Sequence, residues 1–361
     1  MTRTPRTEQF IPPRKSRIHV APFGRTTDGA SIDSFLLTNQ SGVSVRLMNY
    51  GASLIELNVP DRSGNVTDIV LGFDSFSRYL GAHPYFGGTI GRYANRIANG
   101  RFELDGIVHQ LAINDPPNSL HGGARGFDRR VWRGELLDGA QEAGVRFVYT
   151  SQEGEENFSG NVTVIVTYTL SDGNELHIQY AAETDKATPL NLTHHSYFNL
   201  AGGGDVLGHV LQINADRYTP VDNDLVPTGE IASVEGTPFD FRKPLRIGAR
   251  LAELGAIGGY DHNFVLNGEI GTVRLAARVN EPASGRQLEI WTNEPGLQLY
   301  SGTQLDGTIT GKRSTPYRKY AGLCLEPQHY PDSPNRPNFP STILRPGSRF
   351  RSETTYKFTV H

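Results

Sequence analysis

The chain has 361 residues, 37% of them hydrophobic, with 35 Lys and Arg against 38 Asp and Glu for a formal charge of −3. That is an ordinary globular composition, and so even a charge balance argues against nucleic acid or an anionic membrane surface as a partner. The one cysteine, Cys324, excludes an intrachain disulfide and any multi-cysteine metal site; with no apolar stretch long enough to span a bilayer, the expectation is a cytoplasmic protein.

Residues 1–17 are polar, basic and proline-bearing, with no apolar signal core. They predict a disordered tail ahead of a single domain over 18–361. Helical patterning is thin, with short candidates only at DSFSRYL (74–80) and IGARLAELGA (247–256). The stretch GGTIGRYANRIANGRF (87–102) contains Gly-x-x-Gly but fits neither a Walker loop nor a dinucleotide-binding turn. Its Arg92 and Arg96 read equally as sugar or carboxylate binders and as surface arginines. INDPPNSLHGG (113–123) is a loop of turn formers ending at His121, whose glycine neighbours leave little bulk around the ring.

VTVIVTYTL (162–170), the turn SDGN and ELHIQYAAET (175–184) predict a hairpin with Val162, Val164, Val166, Tyr168, Leu176 and Ile178 on its buried face and a solvated His177 on the other. PLNLTHHSYFNLAGG (189–203) also alternates as a strand. One face carries Asn191, Thr193, His195, Tyr197 and Asn199 with no aliphatic residue to bury. The other carries Leu192, His194, Ser196, Phe198 and Leu200 and reads as core. The two adjacent histidines therefore have different jobs, with His195 the candidate for chemistry.

GGYDHNFVLNG (258–268) sets Asp261 and Asn263 opposite His262, Phe264 and Leu266. QLEIWTNEPGLQLYSG (287–302) reads as a hairpin with Trp291 across from Gln298 and Glu289 across from Tyr300, an aromatic and amide surface suited to a sugar. In CLEPQHYPDSPN (324–335), Leu323 and Leu325 share a core face and Glu326 takes the other, delivered where Pro327 ends the strand. Recurrent Asp-Gly and Asn-Gly turns among 40 glycines and 22 prolines complete an all-β pattern, a large antiparallel β-sandwich with few short helices. The chain has no His-x-His or His-Glu-x-x-His spacing. Adjacent His194 and His195 do not converge on one ion from a strand, so metal catalysis is not expected.

Taken together, NRIANG, NSLHGG, GFDRRVW, NLTHHSYFNLAG, GYDHNFVL, PGLQLYSG and LEPQHYPDSPN, in that order, resemble the aldose 1-epimerases (galactose mutarotases) over about Ile18 to His361. The resemblance implies a galactose mutarotase-like supersandwich and cofactor-free interconversion of the α and β anomers of free hexoses. It implies Glu326 as general base and His195 as general acid. Asn95, Arg96, His121, Asp261 and Gln298 would bind sugar, with Ser196 and Tyr197 beside the acid. His194 and Pro327 stand where the family more often has asparagine and threonine. The implied partner is a small aldose bound by a monomer or homodimer. Three rivals remain open: a glycoside hydrolase pairing Glu326 with Asp261, a hexose-6-phosphate mutarotase using Arg92 and Arg125, and a non-catalytic sugar-binding protein.

Overall fold

The computed structural model describes residues 17–138 and 142–361; apart from Arg17, the expected tail lies outside them. Antiparallel strands form three main sheets of nine, six and five strands. In the nine-stranded sheet, Val162–Ser171 pairs with Glu175–Thr184, and the apolar alternation is buried as expected. His177 does more than meet solvent, since its Nδ1 lies 2.9 Å from the Thr355 hydroxyl. Of the two helical candidates, the first forms a single α-turn, Phe76–Tyr79, and the second forms 3₁₀ turns at Ile247–Glu253 and Gly255–Ile257.

The six-stranded sheet contains Asp261–Val265, Gly296–Tyr300 and Leu323–Gln328 as neighbours. On one of its faces Phe264, Leu297, Leu299, Leu323 and Leu325 enter a core shared with Leu37 and Val45 of the five-stranded sheet and Val164 and Ile178 of the nine-stranded sheet. Its other face is polar yet almost wholly buried. Thr219, Asn263, Gln298 and Glu326 form a row across four adjacent strands. A buried polar row of this kind costs free energy unless it is satisfied internally or by a ligand.

Three local expectations are corrected. QLEIWTNEPGLQLYSG is not a hairpin: Arg286–Thr292 lies between Arg274–Asn280 and Phe350–Val360 in the nine-stranded sheet, while Gly296–Tyr300 belongs to the six-stranded one. Each strand has an apolar face, and a sandwich buries such faces from opposite sides, so the turn formers between them carry the chain across the core. Trp291 consequently pairs with Leu275 and Thr355, far from Gln298 in register, and Glu289 pairs with Arg278. The 189–203 stretch is broken into Thr188–Pro189, Thr193–His194 and Tyr197–Phe198, each against a different partner strand. Residues 188–200 are all buried, so neither face is solvated. Finally, the strand bearing Glu326 runs on through Pro327 to Gln328 instead of ending at Pro327.

Candidate active site

Asparagines of the sequence motifs tie the site's segments together. The Asn191 amide donates to the carbonyls of Ala94 and His329 and accepts the His329 N–H, joining the 94–96 loop to the end of the Glu326 strand. Asn199 donates to the Ala321 carbonyl at the start of that strand. The Asp332 N–H donates to the Arg96 carbonyl, while the Asp332 carboxylate accepts the Ala98 N–H. Three segments distant in sequence, 94–98, 191–199 and 321–332, are thereby fixed around the polar face.

His121 sits at φ +52°, and a Cβ on the following Gly122 would lie 2.0 Å from the Gly91 carbonyl oxygen. Only glycine permits this approach, and it swings the His121 ring against His195, with ring centroids 5.1 Å apart. Nδ1 of His121 accepts the backbone N–H of Asn95 at 3.1 Å. A backbone N–H can only donate, so His121 is neutral and carries its proton on Nε2. Burial, with the neighbouring His195 and Arg96, holds its pKa well below the usual value.

His195 is buried, with Nε2 3.8 Å from Oε1 of Glu326 and Nδ1 3.5 Å from Sγ of Cys324. No hydrogen bond closes the His195–Glu326 gap, and Oε2 of Glu326 is buried without a partner. Burial pushes the His195 imidazole down to about 4. Burial also pushes the Glu326 carboxyl well up; Asp261 adds to that rise and Arg96 opposes it. Both directions disfavour charge, so the pair with one proton favours a neutral imidazole beside a protonated carboxyl. His194 points the other way, between the rings of Tyr168 and Tyr356, as the alternation requires.

Arg96 donates from Nε to Asp115 at 2.8 Å, and its Nη1 lies 4.0 Å from Asp261. Asp261 accepts from Gln298 Nε2 at 2.6 Å, while Gln298 Oε1 is left unpartnered. Asn95 accepts the Arg96 N–H on its side-chain oxygen. The Ser196 hydroxyl is buried and unpartnered. Tyr197 packs at a tilt against His195, ring centroids 5.1 Å apart, and meets Tyr300 edge-on at 5.9 Å.

Sequence reasoning missed Tyr85 and Gln328, and gave Asn263 only as sharing a face with Asp261. Tyr85 packs 5.7 Å from His195 and 4.6 Å from His121. Asn263 and Gln328 leave buried amide atoms unpartnered on the polar face; Gln328 stands two residues from Glu326, and strand period alone would have found it. Arg92 is removed from the site: its guanidinium donates to the Ser159 and Gly160 carbonyls and to the Ser151 hydroxyl.

One donor atom each from His121, His195 and Glu326 lie within 4.8 Å of one another, the grouping a divalent ion would use. The His121 tautomer opposes it, since Nδ1 is occupied by the Asn95 N–H and Nε2 is protonated. The arrangement is a buried histidine and carboxylate with no hydrogen bond between them, beside polar side chains that keep unused hydrogen-bonding atoms.

The family model for aldose 1-epimerase matches residues 33–357. The chain is 47% identical over 343 residues to the galactose mutarotase of Bos taurus, covering 94% of this chain and 98% of that one. It is 40% identical over 337 residues to the aldose 1-epimerase of Escherichia coli, covering 92% and 96%. Among solved structures, a galactose 1-epimerase from Lactobacillus acidophilus superposes with a TM-score of 0.86 at 31% identity, covering 96% of this chain and 99% of that one.

Proposed function

The chain belongs to the aldose 1-epimerase family, and we propose that it interconverts the α and β anomers of free hexoses such as galactose and glucose through Glu326 and His195. The observation carrying this reading is the buried, unbonded pair with one orphaned carboxylate oxygen. Glu326 takes the proton from the anomeric hydroxyl O1 while His195 gives one to the ring oxygen O5. The C1–O5 bond breaks, O1 becomes the aldehyde oxygen, and rotation about C1–C2 exposes its other face. The reverse transfers reclose the ring as the other anomer.

Opening the ring moves one proton from His195 to Glu326 through the sugar, so the pair passes from imidazolium and carboxylate to imidazole and carboxyl. These are the two one-proton states of the pair; burial favours the neutral one, so the reactive charged one forms when the proton returns from Glu326 to His195. Acid–base assistance of this kind is worth about 10²–10⁴-fold. His121 Nε2–H, Asn95, Arg96, Asp261 and Gln298 hold the hydroxyls, with Ser196 and Tyr197 supporting the acid; their contribution is positioning.

Commitment of Arg92 to backbone carbonyls favours unphosphorylated sugars over hexose 6-phosphates. Asp261, engaged by Gln298 and facing Arg96, is poorly suited to be a hydrolase's second acid. We read residues 18–361 as one catalytic domain acting in the cytoplasm on an aldose alone, as a monomer or homodimer and without a cofactor. Polarimetry of freshly dissolved α-D-galactose tests the reading: purified protein speeds the approach to equilibrium rotation, and a rate equal to the protein-free blank on both galactose and glucose refutes it.

A further inference from the structure

Cys324 is fully buried on the same strand as Glu326, two residues earlier and on the same face, directly across from Tyr197. Its Sγ is 3.5 Å from Nδ1 of His195, the ring nitrogen that points away from Glu326. We propose that Cys324 is a positioning residue for the acid, its sulfur accepting the Nδ1–H of His195 throughout the turnover. The proposal rests on the acid role given to His195 above.

The proton inventory requires an acceptor at this place. Imidazolium carries N–H at both nitrogens. When Nε2 gives its proton to O5, the neutral ring must keep its hydrogen on Nδ1 and leave Nε2 bare, because Nε2 has to take the proton back when the ring recloses. The other tautomer is unproductive in the ring-open state. An acceptor facing Nδ1 selects the productive one, and it also spares a buried N–H the cost of having no partner. Among the described residues, Cys324 supplies the side-chain hydrogen bond at Nδ1, beside the ring's contact with its own backbone.

The choice of sulfur has its own consequence. Hydrolytic triads orient histidine with a carboxylate, which stabilises imidazolium and strengthens the base. Burial, with Glu326 and Asp261 adding to it, keeps the Cys324 thiol well above its usual pKa and therefore uncharged. A neutral, weak acceptor fixes ring and tautomer without making the imidazole more basic, so His195 stays acidic enough to protonate a ring oxygen.

The test is polarimetric kinetics on Cys324→Ala, Cys324→Val and Cys324→Ser, each as a full pH profile beside the wild type. Valine keeps bulk without an acceptor; serine keeps an acceptor. Expected for alanine and valine is a fall in kcat of about 10-fold, the lower end for losing an orienting partner, with KM within about 2-fold. Without the sulfur, imidazolium loses an N–H acceptor and gives up its proton more readily, so the acid limb of kcat moves to lower pH. Serine restores both. Wild-type kcat and an unmoved acid limb in whichever of alanine and valine folds, or serine behaving as they do, overturns the proposal. An inactive wild type refutes the mutarotase reading instead, and the two failures are distinct.

Discussion

The backbone N–H of Asn95 donates to Nδ1 of His121, and this one hydrogen bond fixes the role of the ring. With its proton on Nε2, His121 is a hydrogen-bond donor to substrate and a poor metal ligand. Two predictions follow from that tautomer. Mutarotation proceeds at the same rate with and without EDTA, measured on the same preparation. Replacing His121 with Phe removes the donor at similar bulk, so kcat/KM falls about 5- to 10-fold, the worth of one hydrogen bond; a tenfold loss on chelation would contradict the assignment.

The pH dependence follows from the shared proton. With two protons on the pair, Glu326 is a carboxyl and no base remains. With none, His195 is a bare imidazole and no acid remains. Activity is therefore bell-shaped in pH. His195, held near 4, gives up the first of the two protons and sets the acid limb, while Glu326, raised well above its usual value, gives up the second and sets the alkaline limb. A profile flat from pH 4 upward would rule the pair out.

Asp261 adds to the rise in Glu326, after burial itself. Asp261→Asn removes that charge and leaves Arg96 free to act on Glu326 alone. Glu326 then ionises more readily, and the alkaline limb of kcat moves to lower pH. KM rises as well, because Gln298 loses its charged partner. The profile and KM from one set of progress curves check both.

Arg92 is a structural residue in this account. Its guanidinium donates to Ser159, Gly160 and Ser151 in a buried setting. Hydrogen bonds from a charged group contribute about 1.5–3 kcal/mol each, so Arg92→Met lowers unfolding stability by at least about 3 kcal/mol by urea denaturation. Where the variant remains folded its KM for galactose is unchanged. A raised KM with unaltered stability would place Arg92 back in the site.

The part of this protein legible in its sequence is the part governed by local geometry. Strand alternation alone separates His195 from His194, and the structure puts them on opposite sides of the chain, one beside Glu326 and one between Tyr168 and Tyr356. The same alternation places Glu326 opposite Leu323 and Leu325. Pairing was not legible, because period two marks which face is buried without saying against which strand. That is why Trp291 and Gln298, near each other in sequence, end in different sheets. The burial of Arg92 depends on where the carbonyls of 159–160 lie, which no spacing within 87–102 encodes. Tyr85 reaches the site through a loop at φ +60°, likewise invisible to periodicity.

The most direct test of the central claim is to measure Glu326→Gln, His195→Asn and the double variant by polarimetry, with thermal denaturation confirming the fold. If the two residues pass one proton through the sugar, each single variant loses about 10²-fold or more in kcat. The double variant then falls little further, because either loss stops the relay. Near-wild-type turnover in either single variant, or losses that simply multiply in the double, would contradict the mechanism.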